Sequence, residues 1–268
     1  MNQNKRLDAY VFEHGYTESR EKAKALIMAG VVYINNQKAD KAGTVVKPDD
    51  KVEVRENPLK YVSRGGLKLE KAMNEYGINL TDNICADIGA STGGFTDCML
   101  QNGAKKVYAI DVGYGQLAWS LRTNEKVVNL ERTNFRYVTK EQIPDELDFA
   151  SVDVSFISLS IIAPVLHTLM KVGAKAVCLI KPQFEAGKEK VGKKGVVRDK
   201  SVHKEVVDRI CNMLKTQGFS ILGLTFSPIK GPEGNIEYLA YIEKTTTDKS
   251  IEYSVESIVE QSHVTLDK

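Results

Sequence analysis

The chain has no C-x-x-C pair: its four cysteines, Cys85, Cys98, Cys178 and Cys211, lie far apart in apolar or helical surroundings. No thiol pair is available for a redox or zinc motif, and the four read as reduced core residues. His14, His167, His203 and His263 share no metal-ligand spacing, so no metal is expected. The N-terminus runs from Met1 to Asp8 straight into an amphipathic pattern without an apolar signal region. No run reaches the roughly 18 uninterrupted apolar residues that a membrane span needs. A cytoplasmic protein with no membrane partner is the expectation. A strong charge of either sign is missing too: the net charge is +2. That sum is silent about nucleic acid, because the basic residues are unevenly placed and their distribution matters more. Nothing in the chain sets an oligomeric state.

What is present is ordinary for a globular protein, with 268 residues, 42% hydrophobic and 27% charged. This length predicts two unequal domains with a sizeable core. Residues 1–57 read as a small α+β unit. Leu7, Tyr10 and Val11 recur at helical spacing, as do Ala23, Leu26 and Ile27 after the Gly15 break. Gly30 ends the second helix, and short strands and turns follow from Val31 to Val54. Arg6, Arg20 and Lys24 form a candidate phosphate-contacting face, diluted by Glu18 and Glu21. Pro58 makes 58–62 a linker by biasing Asn57 to extended geometry.

From residue 63 to 245, strands and helices alternate, which predicts a mainly parallel sheet covered on both faces. Expected strands include Ile84–Ile88, Val107–Asp111, Phe149–Val152 and Ala176–Ile180. The clearest helix is Val202–Gln217, with a stripe of Val206, Ile210, Met213 and Leu214 stopped by Gly218. Phe219–Phe226 and Ile236–Ile242 then read as an antiparallel hairpin. Residues 246–268 are polar, carry no functional signal and read as a tail, with a short helix as the alternative.

Asp87-Ile88-Gly89-Ala90-Ser91-Thr92-Gly93-Gly94-Phe95-Thr96 follows an apolar run, and the next strand ends in Asp111. A dinucleotide fingerprint needs glycine at three positions of G-x-G-x-x-G. Gly89 and Gly94 fit, but Ser91 fills the middle one. The pattern points instead to S-adenosylmethionine, which wants a close backbone turn for its methionine end and a carboxylate for its ribose hydroxyls. Asp87 and Gly89 to Phe95 with Asp111 are the candidate cofactor residues.

In an open α/β sheet, function gathers beyond the carboxyl ends of the strands. Asp153 and Lys181 each close an expected strand. Glu237 begins one that runs the other way, which returns it to the same rim, and Lys68 can reach that rim from the helix opened by Ser63-Arg64-Gly65-Gly66. Singly, each reads as a solvated charge; together they make a cluster beside the cofactor turn. Residues 181–204 add eight basic residues against three acidic ones. A glycine-rich loop of that charge, with Lys188, Lys193 and Lys194, can close over RNA phosphates, and Arg64 joins them as a candidate RNA contact.

The N-terminal stretch, with Arg6-Leu7-Asp8, Ser19-Arg20 and Ile27-Met28-Ala29-Gly30-Val31-Val32-Tyr33-Ile34-Asn35, resembles the alpha-L RNA-binding motif of a small-subunit ribosomal protein. Five further ordered motifs resemble the TlyA (hemolysin A) family: Tyr61 to Leu69, Asp87 to Thr96, Val152 to Ser158, Leu179 to Glu185 and Gly231 to Glu237. The likeness spans about residues 5–243, although Tyr61 stands where relatives carry Trp. It implies an RNA-binding module joined to a Rossmann-like, RrmJ/FtsJ-like methyltransferase domain, with ribosomal RNA or ribosomal subunits as partner. It further implies 2'-O-methylation of ribose, of a cytidine, with Lys68, Asp153, Lys181 and Glu237 as catalytic tetrad and Asn134 near adenine. Within it Lys181 is expected as general base, oriented by Asp153, while Lys68 holds substrate and Glu237 positions Lys68 or the hydroxyl. Trp119 and Phe135 read as core or pocket lining. The competing readings are a membrane-active hemolysin, which lacks a spanning segment, and a non-catalytic ribosome-binding factor, which the intact tetrad argues against.

Overall fold

The computed structural model describes residues 4–28, 30–54 and 60–267. Residues 58 and 59 of the expected linker, and Ala29 of the RNA-binding motif, lie outside the described residues. The chain divides into two compact units, Met1–Lys60 and Tyr61–Lys268.

The first unit runs β1 (Lys5–Arg6), α1 (Leu7–Glu13), α2 (Arg20–Met28), β2 (Val32–Ile34), β3 (Gln37–Lys38), β4 (Val45–Val46) and β5 (Val52–Val54). Leu7 and Val11 of α1 and Ala23 and Ile27 of α2 are the inward positions of two helical stripes, and they bury with Val32, Val46 and Val52 in one small core. Ile34 pairs with Gln37 across a two-residue turn. Asn35 and Asn36 both adopt positive φ there, the geometry that matches strand twist in a tight hairpin.

The second unit is built around seven strands. In chain order its elements are α3 (Gly66–Tyr76), β6 (Ile84–Ile88), α4 (Gly94–Gln101), β7 (Lys106–Ile110), α5 (Trp119–Arg122), β8 (Val127–Leu130), β9 (Leu147–Val152), α6 (Leu159–Leu169), β10 (Met170–Ile180), α7 (Pro182–Glu185), α8 (Lys200–Thr216), β11 (Phe219–Phe226), β12 (Tyr238–Lys244) and α9 (Val255–Leu266). The sheet order is β11-β12-β10-β9-β6-β7-β8. Strands β8, β7, β6, β9 and β10 are parallel, and β12 is antiparallel to both of its neighbours. The expected hairpin therefore forms, but its second strand inserts between the first and the rest of the sheet. Chain order reverses between β6 and β9, which opens the crevice where such sheets bind ligands.

Two cores flank the sheet. One holds Val206, Ile210 and Leu214 of α8 with α6 residues; the other holds Leu69, Ala72 and Met73 of α3 with Cys98 and Met99 of α4. All four cysteines are free and buried. Within 246–268 the short-helix alternative is the one that forms, and it packs against the sheet's flanking core instead of trailing as a tail. Residues Val255–Leu266 form a helix whose Val255 and Val259 are buried in the α8 core. Ile258 and Leu266 pack against the same core from partly buried positions, and this scatter of apolar residues in a polar segment does not register as a clear stripe. Among the described residues, no helix is long and apolar enough to cross a membrane.

Candidate active site

The turn after β6 packs directly against the turn after β9. A Cβ on Gly89 would stand 2.4 Å from the Asp153 carbonyl oxygen, and φ there is +86°, so only glycine fits. Gly94 opens α4 against the start of α3, where a Cβ would meet Gly66 N at 2.8 Å. Ser91 takes the middle fingerprint position with a positive φ, and its N–H donates to Asp111 Oδ2 at 2.8 Å. Gly113 N–H donates to Asp111 Oδ1 at 2.7 Å, so one carboxylate ties the first turn to the second.

These turns wall a hollow of about 710 Å³. Of the ten residues assigned to the cofactor, Gly89, Ser91, Asp111 and Asn134 line it, along with Ile110, Phe135 and Ile162. Asp87, Ala90, Thr92, Gly93, Gly94 and Phe95 do not. Asp87 is fully enclosed, accepting from Thr96 N at 2.8 Å, Thr96 Oγ1 at 2.7 Å and Ser151 Oγ at 3.2 Å. It pins the first turn of α4, and burial pushes its carboxyl up to about 6 despite those donors. Phe95 and Ala90 are buried in core clusters. The Thr92 carbonyl accepts from Ala118 N, and Gly93 packs under Leu117 and Leu121. Trp119 is exposed and leaves both core and hollow, because α5 begins only there and its buried residue is Leu121.

Lys68, Asp153, Lys181 and Glu237 meet in one chain of contacts. Lys68 Nζ is 2.7 Å from Glu237 Oε2 and 3.3 Å from Asp153 Oδ2, while Lys181 Nζ is 2.5 Å from Asp153 Oδ1. Strand pairing explains the convergence: Ile180, at the end of β10, is opposite Tyr238, at the start of β12, so the residues flanking them share a rim. Burial disfavours the Lys68 ammonium, but Asp153 and Glu237 outweigh it and hold the amine above the ordinary lysine range. Burial likewise works against the Asp153 carboxylate, and Lys181 and Lys68 outweigh it, keeping that group below the ordinary range. Two ammonium groups and two carboxylates thus compensate one another in a nearly dry site, the condition under which buried charge is tolerated.

Several site residues escaped the sequence reading. Gln183 donates to Glu237 Oε1 at 3.2 Å, and Lys181 donates to Ser155 Oγ at 3.1 Å. Phe156 is 90% exposed at the mouth of the hollow with φ +63°, an outlier for a bulky side chain. Arg132 stacks on exposed Tyr114 and Arg136 on exposed Tyr137. The outlier and the arginine–tyrosine pairs have no local sequence signature.

The basic positions are exposed as expected. Lys188, Lys193, Lys194 and Arg64 face solvent. The glycine-rich loop is tied down at one end by Asn235, which accepts from Val197 N at 3.0 Å and donates to Gly195 O at 2.9 Å. In the first unit, Lys24 is exposed, whereas Arg6 and Arg20 both fork onto the buried Asp8 carboxylate at 3.1 to 3.3 Å. Their side chains remain about half exposed, so each keeps a free face.

Residues 61–244 match the FtsJ-like methyltransferase family model, and residues 5–52 match the S4 domain. Fold and site together define a methyltransferase that carries an S4 domain. The chain belongs to the TlyA (hemolysin A) family. It is 52% identical over 266 residues to YqxC of Bacillus subtilis, covering 97% of this chain and 95% of that one. It is 41% identical over 252 residues to the 16S/23S rRNA (cytidine-2'-O)-methyltransferase TlyA of Mycobacterium tuberculosis, covering 94% of each. A solved structure from Streptococcus thermophilus superposes with a TM-score of 0.79 at 44% identity, covering 100% of this chain and 98% of that one.

Proposed function

We propose that this enzyme transfers a methyl group from S-adenosylmethionine to the 2'-hydroxyl of a cytidine ribose in ribosomal RNA. The observation that carries the reading is the Lys68–Asp153–Lys181–Glu237 chain beside the hollow behind Gly89. The hollow suits the cofactor chemically. Asp111 keeps a lone pair on each oxygen for ribose hydroxyls, the Gly89 turn offers close backbone, and Ile110, Phe135 and Ile162 offer apolar surface for a purine. When bound, S-adenosylmethionine supplies a methyl group already activated by its sulfonium.

What the chain must add is alignment and a proton acceptor. A lysine is neutral only above an ordinary value of about 10.4, so the acceptor amine has to sit where losing its charge is tolerated. Lys68 is held charged by two carboxylates, which suits it to fixing the substrate oxygen. Lys181 shares Asp153 with Lys68 and is the amine left to take the hydroxyl proton. Phe156 offers a face on which the target base stacks. Arg132, Arg136, Lys188, Lys193, Lys194 and Arg64 receive backbone phosphates, as do Arg6, Arg20 and Lys24 of the S4 unit.

Mapping ribose methylation in ribosomal RNA with and without the protein, followed by reconstitution with S-adenosylmethionine, tests the reading. Lys181→Ala is expected to abolish methyl transfer while cofactor binding survives; near wild-type activity would remove Lys181 from the mechanism. Neutralising Lys193 and Lys194 together is expected to flatten the salt dependence of RNA affinity.

A further inference from the structure

A neutral lysine amine has two N–H bonds and one lone pair. It acts as a base only through the lone pair, so whatever holds the two hydrogens aims the third direction. Lys181 Nζ forms an ion pair with Asp153 Oδ1 at 2.5 Å, at an angle outside hydrogen-bond geometry, and donates a hydrogen bond to Ser155 Oγ at 3.1 Å. The Ser155 hydrogen bond fixes one N–H direction, and the Asp153 carboxylate draws the second hydrogen to its side by charge, which leaves the remaining tetrahedral direction to the lone pair. Asp153 alone would leave the amine free to rotate about the Cε–Nζ bond. We infer that Ser155 is a positioning residue that aims the lone pair of Lys181 at the substrate hydroxyl. The inference rests on the assignment of Lys181 as the base.

The loop that carries Ser155 is built to hold it there. Asp153 and Ser155 both line the hollow, and Phe156 follows in a left-handed conformation that bulky residues avoid. Such outliers persist only where surrounding structure over-determines them, and they cluster at functional sites. The far end of the loop is fastened by Glu185, which accepts from Ser158 Oγ and from Leu159 N, both at 2.8 Å. Glu185 ends the short helix α7 that begins directly after Lys181. One turn of chain therefore holds the base at its start and clamps the Ser155 loop at its end.

The chemistry balances simply. The substrate O–H proton passes to Lys181 Nζ as the oxygen gains its methyl group. The resulting ammonium carries three N–H bonds, one of them still donated to Ser155, and its charge is balanced by Asp153. Ser155 changes no charge and takes no proton.

The test is steady-state methyl transfer by the full chain onto ribosomal RNA from cells lacking this protein. Ser155→Ala, Ser155→Thr and Lys181→Ala are assayed beside wild type. Ser155→Ala is expected to lower kcat about ten- to a hundredfold, part of what a positioned base contributes, with KM for RNA and for S-adenosylmethionine unchanged. Ser155→Thr, which keeps the hydroxyl, is expected to restore most of kcat. Wild-type kcat in Ser155→Ala beside an inactive Lys181→Ala would overturn the positioning role alone, as would a loss confined to KM for S-adenosylmethionine. Activity in Lys181→Ala would overturn both this role and the assignment beneath it. Failure of Ser155→Thr to recover, with its unfolding curve matching wild type, would also count against the hydroxyl.

Discussion

Lys68 Nζ and Glu237 Oε2 stand 2.7 Å apart although 169 positions separate them in the chain. Their contact bridges α3 and the start of β12, so it joins the first helix of the methyltransferase unit to the last strand of its sheet. Glu237→Ala would leave a buried ammonium with Asp153 alone, which it shares with Lys181. A broken buried pair of this kind costs about 3–5 kcal/mol. Denaturant unfolding should show that loss together with the disappearance of methyl transfer, and Glu237→Gln should show a smaller one. Because the folded Lys68 amine is held above its ordinary value, the pair's contribution is fully present below about pH 10 and is lost only as pH rises through the folded value. The destabilisation should therefore be the same at neutral and mildly alkaline pH.

Asp111→Ala is expected to weaken S-adenosylmethionine binding by about tenfold or more, equivalent to about 1.4 kcal/mol. The carboxylate holds Ser91 N–H and Gly113 N–H at once, so its removal loosens both turns as well as the ribose contact. Asp111→Asn, which can serve only one of those donors, should fall between. Isothermal calorimetry with the cofactor separates the three proteins.

In the S4 unit, Asp8 is the hinge of the basic face. Burial opposes its charge, but the Arg6 and Arg20 guanidinium groups and the Ala9 N–H hold the carboxyl down to about 2. A depressed folded value means stability that is present above the unfolded value of about 3.9 and lost as pH falls through about 2. Asp8→Asn should cost about 1–2 kcal/mol at pH 7, with the difference from wild type shrinking below about pH 4. Hydrogen exchange of residues 5–52 reads that difference. RNA affinity should fall in the same variant, because Arg6 and Arg20 lose their common anchor.

Truncation after Lys244 should destabilise the methyltransferase unit by several kcal/mol. It removes Val255 and Val259 from the core, at about 1.5–3 kcal/mol for each buried side chain. It also removes Ser262, whose hydroxyl lies 3.2 Å from the buried Tyr238 hydroxyl. A lowered melting temperature checks this expectation; an unchanged one would mean that α9 contributes no packing energy.

The alternation of elements, the α8 stripe and the bounds of Phe219–Phe226 were all legible in the chain. Each is a local period set by which side chains avoid water. The rim rule likewise brings Asp153, Lys181 and Glu237 to one edge, since strand direction alone places residues at strand ends. Gly89 and Gly94 stood out because a close backbone approach leaves no room for a side chain. Sequence by itself thus determined the kinds of element, the tight glycine turn after the first strand of the sheet and which charged residues gather at its rim.

Tertiary structure decided the rest. The insertion of β12 between β10 and β11 depends on pairing energies between strands far apart in the chain, which no local period encodes. Whether Asp87 lines the hollow or supports α4 depends on Thr96 and Ser151 arriving from two other elements. That Lys68 meets two carboxylates and Lys181 one follows from where positions 153 and 237 arrive in space. Burial and charge compensation are properties of a place in space, so they came into being only when the chain closed around them.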